Sequence, residues 1–115
     1  MPRDPEKYLV DILDSCDFLL QFKKGRSLSD LKDERGFRSA VERELQIIGE
    51  AMMNLEKISP EMAREISECS RIIRFRHVLV HGYDSLNPEI IWNVLDAKLQ
   101  VLKKEAELLL RKKRN

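Results

Sequence analysis

Both histidines of the chain fall within the ten residues RFRHVLVHGY, at positions 74–83. His77 and His81 are four residues apart, a spacing that places two side chains on one face of a helix. No acidic residue lies between the first of the nearby arginines and Tyr83. The arginines in or just before the segment are Arg71, Arg74 and Arg76. Imidazole and guanidinium groups concentrated in this way could transfer protons and bind phosphate.

On a single regular helix, Arg76 and His81 do not point in the same direction. They are five positions apart, which corresponds to about 140° around an ideal helix. A single regular helix therefore aims the two side chains apart, unless its last turn unwinds at Gly82. A second copy of the helix, related by a two-fold axis, could instead bring the groups together.

Four interpretations of the segment are open from its residues alone. An arginine could pair with one of the many carboxylates while a histidine caps the last helical turn, a purely structural role. Two histidines at this spacing could bind zinc, but no HExxH glutamate is present, so Cys16 or Cys69 would have to complete the site. A histidine could exchange protons with a ribose 2′-hydroxyl and a leaving 5′-oxygen while an arginine holds the phosphate, which would cleave RNA without a metal. The same groups could also bind phosphate or nucleotide without catalysis.

Composition sets the class of protein. The 115 residues suit one domain, 1–115, and 36% charged residues with only 6% aromatics favour helices over strands. The net charge of +1 gives no overall attraction to nucleic acid, so an RNA partner would need a local basic patch. Two cysteines are too few for a disulfide framework. With neither an apolar signal region nor an apolar run of about 20 residues, we expect a cytoplasmic protein without a membrane anchor.

Helix start and stop signals divide the chain. Asp4, Ser27, Ser59 and Asn87 are predicted N-caps, and Pro5, Pro60 and Pro88 are predicted first helical residues. The spacing of apolar residues predicts a first helix to position 22, a short turn of helix to about position 32, and a long helix over about 34–58. A further helix is expected over 61–81, with a break near Cys69–Ser70 and a stop at Gly82. A last helix should run from position 88 to the basic tail.

The fold class that follows is all-α, a compact bundle of four to five helices. Gly49 lies inside the predicted long helix, where glycine costs about 1 kcal/mol against alanine. Its presence there predicts a close approach of a second helix. Cys16 lies in the apolar stripe of the first helix and is predicted to be a core residue.

At this point the sequence resembles the HEPN superfamily, and within it the HepT-like toxins of HepT/MntA-type toxin–antitoxin pairs. The family motif is an arginine, usually followed by asparagine, then a histidine four to six positions after the arginine, commonly continued as His-x-Tyr. Arg76, His81 and Tyr83 match this motif. Residues 40–51, AVERELQIIGEA, resemble the second long helix of the family, and residues 87–92, NPEIIW, the start of its last helix.

The resemblance implies a helical homodimer in which Arg76 and His81 of both chains line one cleft. It further implies a metal-independent endoribonuclease, needing no cofactor, that is neutralised by a nucleotidyltransferase-type antitoxin, with Tyr83 as the candidate for adenylylation. His77 departs from the usual asparagine and is assigned a supporting role. Arg71 and Arg74 are candidate RNA contacts. The alternatives are a non-catalytic HEPN partner subunit that aids a nucleotidyltransferase and, more simply, a dimeric scaffold.

Overall fold

Helices account for nearly all of the ordered secondary structure. The computed structural model describes residues 4–82 and 87–115, and neither range contains a strand. The helices are α1 (Pro5–Phe22), α2 (Leu28–Asp33), α3 (Arg35–Ile58), α4 (Pro60–Arg64), α5 (Cys69–His81), α6 (Pro88–Asn93) and α7 (Leu99–Arg114). The long helices α1, α3, α5 and α7 form the bundle, so the predicted all-α fold is confirmed.

The predicted caps fix where several helices begin. The Asp4 carboxylate accepts a hydrogen bond from the backbone N–H of Glu6 at 2.9 Å, with Pro5 at the first position of α1. Ser27 and Asp30 form a reciprocal capping box at the start of α2. The Asn87 side chain accepts from the backbone N–H of Glu89 at 2.9 Å. These local hydrogen bonds satisfy helix N–H groups that would otherwise lack partners.

Helix α3 is the centre of the bundle. It packs against α1, α2, α4 and α5, while α7 closes the other side of α1. Five large residues of α1 and α3 are each 0% exposed: Leu9, Ile12, Leu19, Met52 and Leu55. The apolar stripe of α3 is wide because it packs against several neighbouring helices.

Two boundaries differ from the sequence prediction. The break before α5 occupies residues 65–68 and precedes Cys69 and Ser70, which already belong to α5. Between α6 and α7, residues Val94–Lys98 form a π-helical turn within what was predicted as one continuous helix. Ile91, Leu95 and Leu99 are all buried. On an α-helix a step of four residues is more than one full turn, so two such steps would rotate Leu99 away from the side on which Ile91 lies. The wider π turn keeps these three side chains on the core.

The two cysteines are buried free thiols. Cys16 is 0% exposed within the core, as predicted. Burial raises the pKa of its thiol to about 12 and that of Cys69 to about 11. Within residues 4–82 and 87–115, no helix combines the length and the apolar character needed to cross a membrane.

Candidate functional site

Arg76 points from α5 toward α3 rather than into solvent. Its side chain is only 22% exposed, and its Nη2 lies 3.6 Å from Glu50 Oε1. Its Nε is buried and has no hydrogen-bond partner among the described residues. The aliphatic stem therefore packs between helices while the end of the guanidinium reaches the surface.

Gly49 makes this placement possible. A Cβ atom added to Gly49 would lie 2.5 Å from Arg76 Cγ, still closer to its Cβ, and 3.5 Å from its Cα. Any larger residue would push the two helices apart at this point. The close helix approach predicted from Gly49 is confirmed, and the residue it admits is the motif arginine.

Glu50 belongs to the candidate site, although its sequence context does not predict this. Its Oε1 lies 3.6 Å from Arg76 Nη2 and 3.8 Å from Arg43 Nη1, so one carboxylate pairs with two guanidinium groups. Glutamate is common on helix surfaces, and nothing local distinguishes Glu50 from its neighbours in α3. The only available signal was its place next to Gly49.

His77 and His81 lie together on the exposed face of α5. Their ring centroids are 4.7 Å apart and the rings are inclined by 55°. Both residues are exposed. The shared face predicted from their spacing is confirmed, and both imidazoles are accessible to a substrate.

The end of α5 remains regular. The backbone N–H of Gly82 donates to the carbonyl of Val78 at 2.8 Å, which closes the last turn in α-helical geometry. Unwinding at Gly82 therefore does not turn His81 toward Arg76. Gly82 ends the helix as predicted, although its φ of −120° is not left-handed. Tyr83, the candidate for modification, lies outside the described residues.

The candidate RNA contacts belong to the same helix. Arg74 is exposed and lies seven residues before His81, close to two full turns, so both project from the same side of α5 about 10 Å apart along its axis. Arg71 is 71% exposed and forms an ion pair with Glu68 at 3.5 Å. Arg64, Arg71 and Arg74 line a shallow depression of about 680 Å³ beside the break before α5. Glu56 and Glu68 line the same depression, so its three arginines lie beside two carboxylates.

A zinc site built on the two histidines finds little support. Within the described part of the chain, no three His, Cys, Asp or Glu side chains are grouped so that they could hold a metal ion. Cys69 is at the opposite end of α5 from His81, about 18 Å along the helix axis. Cys16 is enclosed in the core. Neither cysteine is placed to complete the histidine pair.

Comparison with known proteins identifies relatives over almost the full length. Residues 12–109 match the family model described as ribonuclease HepT-like. A protein of Caldanaerobacter subterraneus subsp. tengcongensis, provisionally named an RNase, is 33% identical over 112 residues, which cover 97% of this chain and 99% of that protein. A Thermococcus cleftensis protein named "probable ribonuclease HepT" is 28% identical, covering 95% and 98%. No solved structure matches the chain.

The contact between Gly49 and Arg76 gives a stability prediction. Gly49→Ala should lower the free energy of unfolding by about 1–3 kcal/mol, because the new methyl group meets the Cβ and Cγ of Arg76. This loss should exceed the helix-propensity gain of about 1 kcal/mol that alanine brings. Urea unfolding followed by circular dichroism would measure the difference.

Gly36 provides a matched control in the same helix. Apart from the adjacent residues and the backbone of α3 itself, no atom lies within 4 Å of a Cβ added there, so Gly36→Ala should leave stability unchanged or raise it by up to about 1 kcal/mol. Equal effects of the two substitutions would contradict the close approach at Gly49.

Proposed function

The chain belongs to the HepT-like ribonuclease family, and we propose that it is the toxin of a toxin–antitoxin pair, a metal-independent endoribonuclease that cleaves RNA with Arg76 and His81. The observation that carries this proposal is that one regular helix, near its end, carries both an exposed imidazole and a guanidinium that is anchored at the surface. Those two groups supply proton transfer and phosphate binding, which are sufficient for transphosphorylation of RNA.

In this mechanism His81 acts on the ribose. One imidazole accepts the proton of the 2′-hydroxyl, and the 2′-oxygen attacks the adjacent phosphorus. The bond from phosphorus to the 5′-oxygen breaks, and a second imidazole donates the proton that the leaving oxygen needs. The products are a 2′,3′-cyclic phosphate and a 5′-hydroxyl. His81 of each of two chains can supply one base and one acid.

Arg76 stabilises the charge that develops on the phosphate. Guanidinium groups bind phosphate oxygens through paired N–H donors. An arginine that is already held in place needs less reorganisation when the substrate arrives, so more of its binding free energy is available to the transition state. Arg74, on the same side of α5 as His81, is placed to contact a neighbouring phosphate of the RNA backbone.

A homodimer would complete the cleft. Because α5 stays helical to His81, Arg76 of one chain is held against α3 while His81 of the same chain points away from it into solvent. Apart from this cleft, a groove of about 370 Å³ between α5 and α6–α7, on the side of α5 that faces away from His81, offers an apolar surface for association. Ile90, 53% exposed, and Val101, 49% exposed, line this groove. Charges of both signs border it, so two copies related by a two-fold axis could pair opposite charges across it: Glu68, Arg71, Lys98 and Glu105.

Control by a nucleotidyltransferase-type antitoxin would act through Tyr83. The residue before it, Gly82, directly follows the exposed His81 at the end of α5. Transfer of AMP to the Tyr83 hydroxyl adds a phosphodiester with about one negative charge. That group would compete for the arginines with the RNA backbone, whose binding depends largely on phosphate contacts.

A non-catalytic partner subunit is the second candidate, and His77 is the observation that favours it. His77 occupies the position next to Arg76 where the family motif usually has asparagine, and its ring lies against that of His81. If this contact prevents His81 from reaching the ribose, the protein would assist a nucleotidyltransferase rather than cut RNA. Activity of the purified protein separates the two functions.

The first functional prediction concerns His81. His81→Ala should reduce cleavage of a single-stranded RNA by about 10²–10⁴-fold, the usual contribution of a positioned acid–base group. Wild-type cleavage should persist in EDTA, since no metal takes part. His77→Asn, which restores the usual family residue, should retain activity. Gel analysis of labelled RNA would measure all three.

The same preparations should be examined by light scattering. Wild type and both variants should have a mass near twice 13.5 kDa. A strictly monomeric protein that still cleaves RNA would rule out the shared cleft. Cleavage that survives His81→Ala would rule out the assigned chemistry.

The second functional prediction concerns Tyr83. Intact-mass spectrometry of the wild type co-expressed with its nucleotidyltransferase partner should show added AMP. The addition should be absent from Tyr83→Phe, which keeps the ring but lacks the acceptor oxygen, and that variant should remain toxic in the presence of the partner. Equal neutralisation of both forms without a mass change would mean that the partner acts by occlusion.

A further inference from the structure

The anchorage of Arg76 depends on one side chain of α3. Glu50 Oε1 lies 3.6 Å from Arg76 Nη2, and no other carboxylate ion pair to Arg76 occurs among the described residues. A buried Nε without a partner cannot orient the guanidinium, because it makes no hydrogen bond. The direction of the group therefore rests on the Glu50 carboxylate and on the steric fit at Gly49.

The surroundings of Glu50 suit a positioning role. Its side chain is 43% exposed and Arg76 is 22% exposed, so the pair is only partly screened by solvent. Arg43 approaches the same oxygen at 3.8 Å and adds positive charge beside the carboxylate. An arginine carries five N–H donors, so a carboxylate beside Nη2 leaves others for a phosphate.

We infer that Glu50 is a positioning residue for the RNA-cleavage reaction, which holds the Arg76 guanidinium at the surface between α3 and α5 in the orientation that receives the phosphate. This inference rests on the proposed ribonuclease function. Glu50 itself does not touch the reacting atoms. Gly49 fixes the stem of Arg76 and Glu50 fixes its end, so two consecutive residues of α3 define where the phosphate-binding group lies.

An opposite effect of Glu50 is physically possible. A carboxylate beside Arg76 could compete with the RNA phosphate and restrain the enzyme. The steric arrangement argues against this, because the stem of Arg76 is already confined against Gly49 and its Nε is buried. Removing the Glu50 charge would leave the guanidinium end without direction rather than free it for substrate.

The variant Glu50→Gln tests this assignment, since it keeps the size of the side chain and removes its charge. We expect kcat for RNA cleavage to fall about ten-fold with KM changed less than about three-fold, because misplacement of a group that acts in the transition state mainly lowers kcat. The melting temperature should change by only a few degrees, as for a partly exposed ion pair. Glu50→Asp, which restores the charge, should recover part of the lost rate.

A matched control lies two turns earlier in α3. Glu42 pairs with Arg38 at 2.8 Å with similar exposure, and that pair is not part of the site. Glu42→Gln should leave kcat unchanged. The Nε–H signal of Arg76 in ¹H–¹⁵N NMR spectra provides a readout independent of activity. It should show a rigid side chain in the wild type and in Glu42→Gln, and increased motion in Glu50→Gln.

A lower kcat together with increased motion of Arg76 in Glu50→Gln would support the assignment. An unchanged or higher kcat, or an Arg76 signal as rigid as in the wild type, would overturn it. If the wild type does not cleave RNA at all, the proposed function fails, and the NMR comparison alone decides whether Glu50 anchors Arg76.

Discussion

The approach of α5 to α3 at Gly49 is the contact on which the site depends. Because Gly49 has no side chain, the Cβ and Cγ of Arg76 occupy the space that a Cβ would need. This contact sets the rotation of α5 about its own axis. With Arg76 turned toward α3, the face that carries His77 and His81 must point to solvent. This one steric contact therefore leaves the guanidinium of Arg76 anchored against α3 and both imidazoles accessible to solvent.

Much of the fold could be predicted because its signals are local. Asp4, Ser27 and Asn87 cap helices through hydrogen bonds to residues two or three positions away, and proline at the first helical position fixes the backbone there. The break before α5 lies at residues 65–68, just ahead of its predicted position near Cys69–Ser70, and the π turn was not predicted. The π turn follows from how buried side chains such as Leu95 meet the core, and periodicity along one segment carries no information about the neighbouring helix.

The candidate site, like the fold, could be predicted only where its signals are local. The shared face of His77 and His81 follows from their spacing and is confirmed. The direction of Arg76 was predicted only relative to His81, and its partner Glu50 was not predicted at all. The pairing joins residues 26 positions apart on different helices. It exists only because the bundle brings α3 and α5 together, so a pattern within either helix could not reveal it.

Metal-independent cleavage of RNA by proton transfer from imidazoles is the central claim, and the chemistry of the product ends tests it most directly. Purified protein should be incubated with a defined RNA in excess EDTA, and the fragments analysed by mass spectrometry. Proton transfer by imidazoles to and from the ribose and the leaving oxygen predicts 2′,3′-cyclic phosphate and 5′-hydroxyl ends. Fragments with 3′-hydroxyl and 5′-phosphate ends, or cleavage that requires a divalent metal, would contradict the mechanism.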